Sequence, residues 1–69
     1  MIKIGDIVHN EYGHIGKLKK INHWPNGYIE AEVDVLNYNT KNDIDYCHYQ
    51  KLRLATKEEI ADAVDISQL

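Results

Sequence analysis

Hydrophobic and polar positions alternate most clearly from Tyr28 to Leu36, where Ile29, Ala31, Val33 and Val35 interleave with Glu30, Glu32 and Asp34. A period of two marks a strand with one buried and one wetted face. Upstream, Gly5-Asp6-Ile7-Val8-His9 reads as a strand entered through a turn. Asn10-Glu11-Tyr12-Gly13 is a turn in which Gly13 supplies positive φ. Gly16 then opens a second strand and allows close backbone approach. Leu18 and Ile21 are the apolar positions of that strand, and their spacing of three rather than two predicts a bulge. Two glycines in four residues argue against helix here. Pro25-Asn26-Gly27 is a strong turn signal ahead of the alternating strand.

Beyond that strand, Asn37 to Asn42 is a polar loop. Asp43 to Tyr49 alternates again, with Ile44, Tyr46 and His48 on one face and Asp43, Asp45 and Cys47 on the other. Tyr46 is expected in the core, with Tyr28 also helping to plug the ends of the fold. Leu52-Arg53-Leu54 forms a short closing strand with both leucines on one side. Thr56 to Val64 is the one convincing helix. Thr56-Lys57-Glu58-Glu59 fits a capping box, in which hydroxyl and carboxylate each satisfy an unpaired backbone N–H. Ile60, Ala61 and Val64 form its apolar stripe, expected against the strands.

These elements predict a mainly β fold with a short C-terminal helix in a single domain, residues 1–69. A barrel spans 1–55, the capped helix 56–65 and a tail 66–69. Closing the sheet limits edge exposure, and a five-stranded SH3-like barrel is the most economical arrangement. A five-stranded OB-type barrel is the second choice. It calls for longer strands and a helix where this chain offers only six residues between strands three and four.

Charge narrows the function classes. Residues 1–56 carry seven basic and seven acidic side chains; the last thirteen hold Lys57 against Glu58, Glu59, Asp62 and Asp65, which gives the whole net charge of −3. A domain that binds nucleic acid mainly through phosphate is normally basic, so only a local patch, Lys17-x-Lys19-Lys20, serves that role here. Cys47 is the only cysteine; it closes no intramolecular disulfide, and a lone thiol fits a reducing, cytoplasmic setting. The N-terminus, MIKIGD, has neither a basic leader nor an apolar run, so the mature protein is expected to start at Met1 and no window approaches a membrane span. A chain of this size buries only about 60% of its unfolded surface.

Gly5-Asp6-x-Val8, followed by Gly13-x-x-Gly16-x-Leu18-x-x-Ile21, resembles the KOW motif of small SH3-like barrels found in bacterial transcription elongation factors and several ribosomal proteins. The resemblance covers about 18 residues directly and extends loosely through Tyr28–Leu36 and Asp43–Leu54. It implies that the glycine-turn region contacts RNA or a partner protein, with Tyr12, His14, Lys17, Lys19 and Lys20 on or near that surface. Separately, Lys51 to Ile60 is similar to the ending of many small phage-encoded proteins, which often bind and inhibit host machinery.

Catalytic and metal chemistry find little support. No serine precedes Ser67, and Cys47 and His48 diverge as strand neighbours, unlike a thiolate–imidazole pair. His9, His14, His23 and His48 lack the paired spacing of zinc ligands. Asp43 and Asp45 share a face, which reads as solvated. No cofactor, catalytic residue or metal site is therefore expected. The aromatics are the better lead, because Trp and Tyr are enriched at interaction hot spots and also stack on unpaired bases. The leading expectation is a non-enzymatic module that binds a host or phage protein through Tyr12, His14, Trp24, Tyr38 and Tyr49, as a regulator or inhibitor of host defence or transcription. The alternative is a KOW-type RNA- or DNA-binding module using Lys17, Lys19 and Lys20 with Tyr12 and Trp24. For Lys17, Lys19 and Lys20 a charged edge that blocks sheet-to-sheet pairing is slightly favoured over phosphate contact. The chain is expected to be a monomer or a weak homodimer, the latter through Ile66, Leu69 and an open strand edge.

Overall fold

A computed structural model describes residues 1–37 and 43–67. Five strands form one antiparallel sheet: β1 Ile7–His9, β2 Ile15–His23, β3 Ile29–Val35, β4 Ile44–His48 and β5 Arg53–Leu54. A 3-10 turn, Tyr49–Lys51, links β4 to β5, and helix α1, Lys57–Ser67, follows. Spatial order is β4-β3-β2-β1-β5, so β1 lies between β2 and the last strand. Backbone pairing does not join β4 to β5 among the described residues, so the sheet is unclosed.

Each expected backbone device has its physical counterpart. Gly13 has φ +79°. A Cβ on Gly16 would lie 2.4 Å from the Asp34 carbonyl oxygen, so only glycine lets β2 approach β3 this closely. The register of β2 on β3 slips between Leu18 and Lys20, leaving Lys19 in a bulge. That slip keeps Leu18 on the core face while Ile21 returns to it three residues later.

The core comprises Val8, Leu18, Ala31, Val33, Cys47 and Leu52, with Ile2, Ile21 and Tyr49 packed around it. Complete burial of a leucine or valine contributes about 1.5–3 kcal/mol, so Leu18, Val8 and Val33 dominate this small interior. Two expectations for the later strands need correction. Tyr46 is 58% exposed, whereas Cys47 is buried and its Sγ lies 3.7 Å from the Ala31 carbonyl. The face with the larger side chains is therefore the outer one. Leu52 is buried but Leu54 is 55% exposed, so only the first of the two leucines joins the core.

In α1 the capping box forms as read: Thr56 N–H donates to Glu59 Oε1 at 2.9 Å, and Glu59 N–H donates to Thr56 Oγ1 at 3.1 Å. Arg53 adds a fork onto the same carboxylate at 2.7 and 2.8 Å. The buried face of the helix is set by Ala63, with Ile60 half-buried; Ala61 and Val64 are exposed. The stripe is thus rotated from its expected position, with Ala63 turned inward in place of Ala61 and Val64. The helix also runs on to Ser67, beyond the expected end at residue 65. No helix among the described residues is long and apolar enough to cross a membrane.

Candidate functional site

The β1–β2 turn is built around Asn10, whose side chain is fully buried. Its Oδ1 accepts the N–H groups of Tyr12 and His14, each at 3.0 Å, which fixes the turn locally. Its Nδ2 donates to Asp45 Oδ2 at 2.7 Å, which reaches across to β4. His14 Nδ1 meets the same Asp45 oxygen. Glu11 makes a third link, its Oε1 accepting the His48 backbone N–H at 2.8 Å. The other Glu11 oxygen lies 3.9 Å from Lys51 Nζ. Side chains of one turn thus latch onto β4 where the backbone ladder stops short. Buried polar groups are tolerable only when bonded in this way, and Asn10 meets that condition with three partners.

The latch draws an aromatic and acidic surface together on the outer face of β3 and β4. Glu30 is opposite His48 and Glu32 is opposite Tyr46. The Tyr28 ring meets His48 at 4.5 Å in an edge-to-face arrangement, a favoured aromatic geometry. Partial burial, then the negative charges of Glu30 and Glu11, push the Tyr28 phenol up, with Tyr12 near enough to add to the effect. Asn22 Nδ2 donates to Glu30 at 3.1 Å and to Glu32 at 2.8 Å. Asn22 is neutral and orients both carboxylates, while Lys20 stands opposite Glu32 in the ladder.

Of the residues singled out from the sequence, Tyr12 is 58% exposed on the latched turn. His14 lies beside it, ring centres 6.1 Å apart, but is half-buried against Asp45. Trp24 is 51% exposed in the β2–β3 turn, and its N–H donates to the Tyr28 carbonyl at 2.9 Å. Tyr49 turns inward, its hydroxyl donating to the Ile2 carbonyl at 2.7 Å, where it packs on the core. Tyr38 lies outside the described residues. Lys17, Lys19 and Lys20 are exposed, but Lys17 faces Asp34 and Lys20 faces Glu32 across the ladder. The structure therefore brings Tyr12 and His14 together and places Trp24 next to Tyr28, while Tyr49 supports the interior.

Sequence reasoning missed Tyr28, Tyr46, His48, Glu11 and Glu30 as members of this surface. Alternation already placed Tyr46 with His48, and Tyr28 with Glu30; what it lacked was which face of β4 is wet. Elsewhere, a cleft of about 180 Å³ lies between the β1–β2 turn and α1, lined by His9, Gly13, Ile15, Asn37, Glu59, Asp62 and Ala63. It is smaller than the usual range of about 300–1,000 Å³ for small-molecule sites. Burial pushes the Cys47 thiol up to about 11, so it is not an activated nucleophile. Among the described residues no group of three or more His, Cys, Asp and Glu side chains is placed to hold a metal ion. No family model matches the chain, nor does any curated protein or solved structure.

Proposed function

We propose that this chain is a small non-enzymatic binding module whose partner is another protein. The observation that carries the reading is the aromatic set of exposed Tyr12, Tyr46 and His48 with half-buried Tyr28, gathered beside Glu11, Glu30 and Glu32, with the Glu11 hydrogen bond tying the turn to β4. Interfaces concentrate their energy in aromatic anchors presented on fixed backbone. A nucleic-acid partner is disfavoured by the same surface, because its carboxylates would face phosphate and Lys17 and Lys20 already oppose acids.

For the architecture we infer an SH3-like barrel of the KOW type. Support comes from β1 lying between β2 and β5, from the 3-10 turn ahead of β5, and from the side-chain latch that bends the β1–β2 turn onto β4. The glycine spacing at Gly13 and Gly16 fits the same reading. The phage-like ending from Lys51 to Ile60 directs the search for a partner to bacterial host machinery, where the module would act as a regulator or inhibitor.

The test is capture of a partner on immobilised protein from bacterial lysate with and without nuclease treatment, followed by titration of the purified partner. Tyr12→Ala and Tyr46→Ala are each expected to weaken that complex by about tenfold or more while leaving the thermal midpoint nearly unchanged. Release of the partner by nuclease, or full affinity in both variants, overturns the proposal.

A further inference from the structure

β4 is one of the two edge strands of the sheet, β5 being the other, and its register shows which backbone groups face outward. Val35 N–H donates to the Asp43 carbonyl at 2.9 Å, so the odd-numbered residues of β4 bond toward β3. Ile44, Tyr46 and His48 therefore turn their N–H and C=O groups to the other side, as antiparallel pairing requires. One of these groups is already in use: the His48 N–H is held by the Glu11 carboxylate at 2.8 Å. Among the described residues nothing pairs with Ile44 or Tyr46 on that side. Unpaired edge groups template a further strand.

Charge selects the occupant. Beside this edge stand Glu30 and Glu32 on the outer face of β3, opposite His48 and exposed Tyr46, with Glu11 at the His48 end. Lys20 opposes Glu32 and Lys51 lies 3.9 Å from Glu11, which leaves Glu30 without a facing cation in the ladder. A second copy paired through β4 would bring only Ile44, Tyr46 and His48 to this face, and so no lysine or arginine to Glu30 and Glu32. An added strand lies about 4.8 Å from β4 and so about 10 Å from β3, a gap that long basic side chains can bridge over the Tyr46 ring, where a cation is attracted to the aromatic face. Resting on the protein-binding reading above, we propose that β4 accepts an extended, lysine- or arginine-rich segment of the partner as a sixth strand, bonded to Ile44 and Tyr46 and paired in charge with Glu30 and Glu32.

The test uses the full chain, labelled with 15N, and a blocked nonapeptide alternating lysine with valine. Binding is expected to slow hydrogen exchange of the Ile44 and Tyr46 amides by about tenfold or more, and to weaken as salt rises. Tyr46→Pro removes the outward N–H without touching the β3 ladder and is expected to weaken binding by about tenfold or more. Because that variant risks misfolding, a peptide N-methylated along one backbone edge provides the same test on the unaltered protein. The double variant Glu30→Gln/Glu32→Gln should bind several-fold more weakly with a flatter salt dependence. The proposal is overturned if a glutamate–valine peptide binds equally well, if no peptide binds, or if protection appears away from β4. It is also overturned if sedimentation shows a dimer that protects these amides, or if an oligonucleotide protects them instead. A captured partner that loses affinity with Tyr12→Ala but ignores Tyr46→Pro would sink strand addition alone; one indifferent to Tyr12→Ala and Tyr46→Ala would sink the binding surface itself.

Discussion

The two turns that bracket β2 share their local chemistry and differ in what they do. Asn10 Oδ1 accepts the N–H of Tyr12, and Asn26 Oδ1 accepts the N–H of Tyr28, both at 3.0 Å. Gly13 and Gly27 both adopt positive φ, +79° and +89°. Yet Asn10 is buried and its amide reaches Asp45, while Asn26 is exposed. The first turn is a structural joint between distant strands; the second is a self-contained reversal carrying Trp24 into solvent. The lesson is that turn residues set the backbone path, but tertiary partners decide whether a turn supports the fold or is free to serve something else.

The strongest way to break this comparison is to remove the joint. Asn10→Ala is expected to cost about 2–4 kcal/mol by urea denaturation, since it deletes three hydrogen bonds and leaves buried polar groups unmatched. Asn26→Ala should cost less than about 1 kcal/mol. Similar values for both would show that the latch contributes nothing. A double-mutant cycle sharpens the point: Asn10→Ala with Asp45→Ala should show coupling of about 1 kcal/mol or more, and Asn26→Ala with Asp45→Ala none.

Next in size are the glycines. Gly13→Ala and Gly27→Ala should each cost about 1 kcal/mol, because positive φ is unfavourable for alanine although each added Cβ would meet open space. Equal costs would assign the difference between the turns to side chains alone.

Acid provides an internal reference outside both turns. The Arg53 guanidinium, followed by the Thr56 N–H, holds the Glu59 carboxyl at about 2, well below its ordinary 4.5. A depressed carboxyl stabilises the fold fully above its unfolded value, and this contribution fades as pH falls through the folded value. The midpoint difference between wild type and Glu59→Gln should therefore shrink between pH 4.5 and 2. The smallest effect expected is Trp24→Ala, which should change stability by no more than about 0.5 kcal/mol because the ring is half exposed.

Much of the backbone was legible in the sequence because its causes are local. The Leu18–Ile21 spacing foretold the bulge at Lys19, Gly13 and Gly16 marked their own constraints, and Thr56 with Glu59 declared the cap. The orientation of β4 was not legible. By side-chain size, Ile44 and Tyr46 belong inside and Asp45 outside. The chain folds the other way because Asn10 and His14, 35 and 31 residues distant, satisfy Asp45 at the interior edge. That arrangement releases Tyr46 to the surface, and with it most of the candidate site. For the same reason Tyr12 and Trp24 could be read as surface aromatics from their turns, while Tyr28 and His48 needed the register to join them.

The single thiol turns this architecture into its own stopwatch. Cys47 is 1% exposed between β3 and the rest of the interior, so a thiol reagent reaches it only when the molecule opens. With no other cysteine in the chain to confuse the signal, the labelling rate reports how often β4 parts from the sheet. A ligand that clamps this strand would register as a slower colour change of the thiol reagent in a cuvette, without any label engineered into the protein.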